Sequence, residues 1–367
     1  MSQPLRINWI LRGTNLAGGT KSNRLLAEAM VRRGHDVTIV YSMIGPTRPR
    51  PWQVRCWYRR VRKQFSGLGK QRHHLESSTA CLLPVKRCPI DQEDVPDADV
   101  TIATWWETAH WIRDWSDRKG LKAYFVRGYE IHGGDPEQVK ATYRLPYMKL
   151  VISSWLKRLM AEEFDDPNAI LIYNGIDHEQ FNCESRNKSS VSTVGMLYGS
   201  ESLKCAQVGF DAFRLLQRDI PQLRVLSFGD KYPLRQHKPP PNFRMHVRPA
   251  QSEIPDIYRQ ADCWLVPSLR EGFSMPGLEA AACGCPVVAT RCGGPEDYVI
   301  EGETGLLVPV NDVEAIAAAC KRILELDETD WSRMSKACVR IAKRFDWDKS
   351  AELLEKTFYR ALNISDK

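Results

Sequence analysis

The chain has 367 residues, 43% of them hydrophobic and 26% charged, with a formal net charge of +7. That balance belongs to a globular chain long enough to bury two cores, and it excludes a disordered or collagen-like polymer. No apolar run approaches the ~18 residues of a membrane span, and the opening Met1–Ile7 enters a strand without the apolar core of a secretory signal.

The charge is unevenly spread. Residues 41–90 hold eleven Lys and Arg against Glu76 alone, a local +10, which leaves the remainder at −3. The eleven cysteines are odd in number and scattered, and Cys283 and Cys285, one residue apart in a helix-to-strand turn, make a poor metal bite. They read as reduced thiols in a cytoplasmic protein. Asp97-Ala-Asp99 reads as a turn before a strand, so no metal pair stands out.

In chain order, Arg6–Leu11 reads as a strand and Arg12–Thr20 as a loop carrying Gly18 and Gly19. Lys21–Arg33 has Leu25, Leu26, Ala29 and Met30 at helical spacing, Gly34 ends it, and Asp36–Tyr41 is a second strand. Strand, glycine loop, helix, strand is the start of a doubly wound domain. The loop lacks Gly-x-Gly-x-x-Gly, which argues against a nicotinamide cofactor.

Residues 48–72 follow. Val54, Trp57, Tyr58, Val61 and Phe65 form one helical stripe, and Arg55, Arg59, Arg60, Arg62 and Lys63 cover the rest. A basic amphipathic helix of this kind suits either packing on its own domain or an anionic membrane surface, while no nucleic-acid module surrounds it.

Asp99–Thr104 and Lys122–Val126 are strands whose tails, Trp105-Trp106-Glu107-Thr108-Ala109-His110 and Arg127–Gly134, leave carboxyl ends, so both tails are expected to line the cleft. Met148–Ser153 and Ala169–Tyr173 are strands around a helix at Trp155–Glu163, and Asn174 through Ser190 reads as an interdomain link. The second half repeats the alternation. Its strands are Val191–Met196, Leu223–Phe228 and Phe243–Val247; its helices are Ala206–Leu216, Ile254–Arg259, Val313–Leu326, Trp331–Ile341 and Trp347–Leu362.

The densest stretch is Val266–Thr290. It reads as a strand end at Cys263–Val266, a loop Pro267–Ser274, a helix Pro276–Cys283 capped by Ser274, and a buried strand Pro286–Thr290. The helix start suits a phosphate. Glu271 leaves a strand's carboxyl end, and Glu279 lies eight positions on among small residues, where a ribose diol would give it a partner.

The string Pro267-Ser268, Glu271-Gly272-Phe273, Pro276-x-x-Glu279-Ala280, Cys283-Gly-x-Pro-Val-Val-Ala289, Gly293-Gly294 resembles the signature of retaining glycosyltransferases of family 4. The resemblance implies an α/β protein of the GT-B fold, with two Rossmann-like doubly wound domains facing each other across a cleft. Residues 1–174 would be the acceptor side, 175–346 the nucleotide-sugar side, and 347–367 a helix crossing back onto the first domain.

It also implies transfer of a hexose or deoxyhexose from a nucleotide-diphosphate sugar to a glycan or lipid-linked acceptor, without metal or bound cofactor. Lys204 would offset charge on the departing diphosphate, with Gly18, Gly19, Gly272, Phe273 and Ser274 supplying backbone amides. Glu271 would lie against the sugar, Glu279 on the ribose, and Ser268 would brace the Glu271 loop. The family's Arg position holds Met196 here, so either Arg12 or Arg248 substitutes or the donor is held differently. A family His near the acceptor is replaced by Trp105, Trp106 and Glu107, leaving Glu107 and His110 as candidates there. Asp297 stands where the family often has Glu, or else caps a helix. Trp105 and Trp106 suit a sugar face or the core. The Trp-Trp-Glu and Val-Arg-Gly-Tyr-Glu segments look like members acting in cell-surface polysaccharide assembly. An epimerase of the same fold and a non-catalytic nucleotide-sugar-binding subunit are the alternatives.

Overall fold

The computed structural model describes residues 3–14, 18–44, 74–183 and 186–364, so the basic 48–72 stretch lies outside the described residues. The chain divides into two compact units. The first is Met1–Ile152, Leu156–Gly175 and Trp347–Lys367; the second is Ser153–Trp155 and Ile176–Asp346.

The first unit holds β1 Arg6–Leu11, α1 Gly18–Arg32, β2 Asp36–Ser42, β3 Cys81–Val85, β4 Val100–Ala103, α2 Trp106–Trp111, β5 Leu121–Val126, α3 Pro136–Tyr143, β6 Met148–Val151, α4 Ser154–Phe164 from Leu156 onward, and β7 Ile170–Leu171. Its sheet runs β3-β2-β1-β4-β5-β6-β7 with every neighbouring pair parallel. Parallel strands covered on both faces must be apolar throughout. Accordingly Ile7, Trp9, Ile10, Val100, Ile102 and Phe125 are all buried.

The second unit holds β8 Thr193–Leu197, α5 Ala206–Asp219, β9 Arg224–Gly229, β10 Phe243–Val247, α6 Ile254–Arg259, β11 Cys263–Val266, α7 Met275–Ala282, β12 Val287–Thr290, β13 Gly305–Val308, α8 Val313–Leu324 and α9 Glu328–Ala342. Its parallel sheet runs β10-β9-β8-β11-β12-β13. The core of one face gathers Val194, Met196, Phe210, Phe213, Leu265, Ile316 and Trp331.

The last helix, α10 Trp347–Ala361, belongs to the first unit and packs on α1. Trp347, Leu354 and Phe358 are its buried face. Glu355 fastens it: Arg33 donates to one carboxylate oxygen, and His35 Nε2 donates to the other at 3.0 Å. His35 Nδ1 accepts from the Leu5 amide at 3.1 Å, which fixes the tautomer. Burial lowers the pKa of His35 although Glu355 opposes the shift, so the imidazole is neutral at pH 7.

Four features of the two units depart from the sequence expectation. Gly18 and Gly19 are not in the loop but open α1, where Ser22 Oγ donates to the Gly18 carbonyl at 2.8 Å and steadies the first turn. Strand β3 and helix α3 were not anticipated. Residues 186–190 are no free link but are tied to the second unit. Arg186 donates to the carbonyls of Arg259, Ala261 and Gly284, the backbone acceptors that helices α6 and α7 leave open, and lies 4.7 Å over the Trp331 ring.

Candidate functional site

In an open parallel sheet the strand order reverses once, and the loops leaving the carboxyl ends there diverge and leave a crevice. In the second unit this point lies between β8 and β11. The loop after β8 brings Lys204, and the loop after β11 brings Ser268 and Glu271. The Leu269 amide donates to the Leu203 carbonyl at 2.8 Å and joins the two loops.

Lys204 Nζ donates to Glu271 Oε1 at 2.7 Å, and Ser268 Oγ donates to the same oxygen at 2.6 Å. Burial of Lys204 opposes its charge, but the carboxylate and hydrogen bond of Glu271, with Glu201 nearby, outweigh it and raise the pKa. The lysine is therefore a fixed cation. Glu271 is held by its backbone as well: its amide donates to the Cys292 carbonyl at 2.8 Å, and its carbonyl accepts from Gly294 at 3.2 Å. The brace expected of Ser268 is present. Gly294 is dictated by this packing, since a Cβ there would sit 2.2 Å from Phe273 Cα.

Phe273 is buried against Tyr298 and Phe345, with ring centroids 5.8 and 5.5 Å apart. It seats Ser274 in the left-handed conformation, φ 66°, where its side chain does not cap α7. This corrects the expected cap. The Ser274 carbonyl instead accepts from Tyr298 Oη at 2.9 Å. Pro276 stands in the first turn of α7, as expected. Trp155 Nε1 donates to the Gly272 carbonyl at 3.2 Å.

Glu279 lies on α7 with 7% exposure, and Tyr258 Oη donates to its Oε2 at 2.9 Å. The partner that a Glu on this face needs is supplied within the protein by Tyr258. Tyr258 was not singled out by sequence, because nothing in an isolated helix marks which tyrosine faces a neighbour. Met196 is wholly buried in the core of β8, so the position that carries Arg in the resembled family points no cation outward here. Arg248 is exposed and paired with Asp230 at 2.6 Å. Asp297 does not cap the short turn it ends; its Oδ2 accepts from the Ser154 amide at the start of α4 at 2.8 Å and so closes the start of that helix.

The first unit has its own reversal, between β1 and β4. Arg12 follows β1 and Glu107 follows β4, and Arg12 Nε lies 2.5 Å from Glu107 Oε2. Burial raises the pKa of Glu107, and Arg12 pulls it back in part. Arg12 is thus matched to a carboxylate. His110 Nε2 donates to the Gln138 carbonyl at 3.2 Å and meets Trp106 edge-on. The indoles of Trp105 and Trp106 press on Gly133 and Gly134, whose added Cβ atoms would come within 2.4 and 2.3 Å of the rings. Both side chains serve packing rather than an open stacking face.

Behind them sits Glu130, 1% exposed, which sequence reasoning passed over. Its Oε2 accepts from the Trp106 amide and Tyr124 Oη, both at 2.8 Å, and so closes the start of α2. Burial pushes its pKa up to about 8, although Tyr124, the Trp106 and Arg127 amides and the Arg127 charge each favour the carboxylate.

The two parallel-sheet, Rossmann-like units make this an α/β protein of the GT-B fold. Anabaena HepE in complex with UDP-glucose superposes with a TM-score of 0.75 at 14% identity, over 97% of this chain and 100% of that one. Residues 188–326, which carry Lys204, Glu271 and Glu279, match the family described as Glycosyl transferases group 1. A D-inositol 3-phosphate glycosyltransferase of Corynebacterium glutamicum is 41% identical over 111 residues, 30% of this chain and 26% of that relative. The chain thus spans about a quarter of the length of the first curated relatives it matches. An uncharacterized glycosyltransferase of Methanocaldococcus jannaschii is 26% identical over 245 residues, 62% of this chain and 66% of the relative.

Proposed function

We propose that this chain is a retaining glycosyltransferase of group 1, family 4. It moves a hexose or deoxyhexose from a nucleotide-diphosphate sugar to a glycan or lipid-linked acceptor in cell-surface polysaccharide assembly. The observation that carries this reading is the Lys204–Glu271 pair at the strand reversal of the second unit, inside the segment that matches the family.

In the reaction the C1–O bond to the diphosphate breaks and the acceptor hydroxyl oxygen bonds to C1 on the same face. Its proton passes to the departing phosphate oxygen. Negative charge grows on the diphosphate, and a fixed cation beside it lowers the barrier without reorganising. Lys204 fills that role, joined by backbone amides at Phe273, Ser274 and the start of α7. Glu271 accepts hydrogen bonds from the sugar, Glu279 from the ribose, and Gly18 and Gly19 let α1 meet the substrate closely. Glu107 contacts the acceptor.

The basic 48–72 stretch extends the reading to an anionic lipid surface at the cytoplasmic face, with about 1 kcal/mol from each basic residue near the membrane. Among the described residues no helix is long and apolar enough to cross a membrane. Liposome sedimentation tests this part: Arg55, Arg59 and Arg62 changed to Gln should lower binding, and equal binding would remove it.

A thermal-shift panel of nucleotide sugars tests the activity class. A true donor at 100 times its Kd adds about 2.7 kcal/mol of stability. Glu271→Gln should then keep nucleotide binding and lose transfer; turnover at the wild-type rate would refute the role given to that carboxylate.

A further inference from the structure

Arg127 follows β5 in the first unit and was assigned no role above. Its guanidinium is half-buried and lies 4.9 Å over the Phe125 ring. Three neutral oxygens hold it: Asn174 Oδ1 at 2.7 Å, Asn23 Oδ1 at 3.3 Å, and Ser22 Oγ. These oxygens are themselves fixed. Ser22 donates its proton to the Gly18 carbonyl, and Asn23 Oδ1 also accepts from Trp9 Nε1 at 3.0 Å.

What the cluster lacks is negative charge. Among the described residues no carboxylate forms an ion pair with Arg127. The nearby Glu130 turns its Oε2 to the Trp106 amide and Tyr124 instead, and its raised pKa of about 8 keeps it mostly neutral at pH 7. Burial lowers the pKa of Arg127, to about 9, which still leaves it charged.

The location adds to the imbalance. Ser22 stands near the start of α1, a 15-residue helix with no acidic residue in its first turn. A helix start is already electropositive, so a cation tied to it is disfavoured unless an anion is shared between them. A desolvated guanidinium also wants a counter-charge, and with Nη2 given to Ser22 and Asn174 and one Nη1 proton to Asn23, the Nε–H and second Nη1–H of its planar fork are what it offers an anion.

We infer that Arg127, oriented by Ser22, Asn23 and Asn174, is the phosphate-binding residue of the first unit. The phosphate belongs to a substrate, either the diphosphate of the donor or a phosphorylated acceptor, and that assignment to a substrate rests on the glycosyltransferase reading.

Calorimetric titration with inorganic phosphate, UDP and uridine tests this on the full chain. Arg127→Gln should weaken phosphate binding at least tenfold, and Arg127→Lys by less, since it keeps the charge and loses the fork. Ser22→Ala leaves the charge in place and serves if the Gln variant does not fold; it should weaken phosphate binding several-fold.

The arms separate the sources. If UDP displaces phosphate and loses affinity in Arg127→Gln while uridine does not, the anion is the diphosphate of the donor. If phosphate still binds beside saturating UDP, it stands for a phosphorylated acceptor. Phosphate binding that depends on Arg127 without any nucleotide binding would sink the glycosyltransferase reading and leave the anion site standing. Equal phosphate and UDP affinities in the wild type and a folded Arg127→Gln would overturn the inference, as would a wild type that binds neither.

Discussion

Lys204 Nζ and Glu271 Oε1, 2.7 Å apart, tie the loop after β8 to the loop after β11 at the place where the strand order of the second unit reverses. Arg12 and Glu107 repeat the relationship at the β1–β4 reversal of the first unit. A cation placed there is fixed before any ligand arrives, which is the condition for stabilising charge as it develops. Lys204→Ala should therefore lower kcat/KM by about 10²–10³-fold, or ~2.7–4 kcal/mol. Initial rates at subsaturating donor measure it. A variant within twofold of wild type would show that Lys204 does not face the leaving group.

In the proposed reaction a metal has no task at the diphosphate, since Lys204 and helix-start amides would carry the charge of the leaving group. Transfer after exhaustive EDTA treatment should stay within about twofold of the untreated rate, a bound far inside the effect of one stabilising donor. A loss restored by added Mg²⁺ would assign part of the stabilisation to an ion.

Tyr258 and Glu279 form a buried donor–acceptor pair. Tyr258→Phe removes this donor from the buried Glu279 carboxylate, so stability should fall by about 1–3 kcal/mol. Urea unfolding gives the number. If Glu279 binds the ribose, the same variant should change nucleoside diphosphate affinity, whereas a purely structural pair would leave affinity alone once the protein is folded.

Gly294 has backbone in its way rather than a flexible side chain, with Phe273 Cα 2.2 Å from a built Cβ. Gly294→Ala must push the Glu271–Ser274 loop aside, at a cost of about 1–3 kcal/mol for overpacking. Melting temperature and transfer rate should drop together. A stable variant with full activity would mean that the loop has slack which the packing does not suggest.

Legibility followed the physics of each element. Phe243–Val247 and Ile254–Arg259 are read from sequence to the residue, because an apolar–polar alternation and an amphipathic turn need only local information. Strand β3 hides because Pro84 and its cationic surroundings argue against a strand; at the sheet edge a proline is tolerated. Helix α3 carried a missed signal in Asp135, whose side chain accepts from the Glu137 amide, followed by Pro136 in the first turn. Ser274 has the right side chain for a cap, but the packing of Phe273 on Gly294 sets its backbone instead. Lys204, Ser268, Glu271 and Glu279 are singled out in the sequence by a motif. Arg127 and Glu130 have no local signature, since what distinguishes them is which partners the fold brings or withholds.

Glu130 gives the sharpest pH prediction. Its folded pKa is raised to about 8, chiefly by burial, while an unfolded glutamate titrates near ~4.3. Between those values the folded chain holds a proton that the unfolded chain has released. Stability from this group must therefore fall as pH rises from ~4.3 to about 8 and level off above it. The groups facing it are Tyr124 and Tyr143, the amides of Trp106 and Arg127, and the Arg127 guanidinium. None of these changes charge in that window, so the slope belongs to Glu130. Glu130→Gln keeps an acceptor for Trp106 and Tyr124 but cannot ionise. Its melting temperature relative to wild type should climb from pH 5 to pH 8. A difference that stays constant across that range would mean that Glu130 is already ionised in the folded protein.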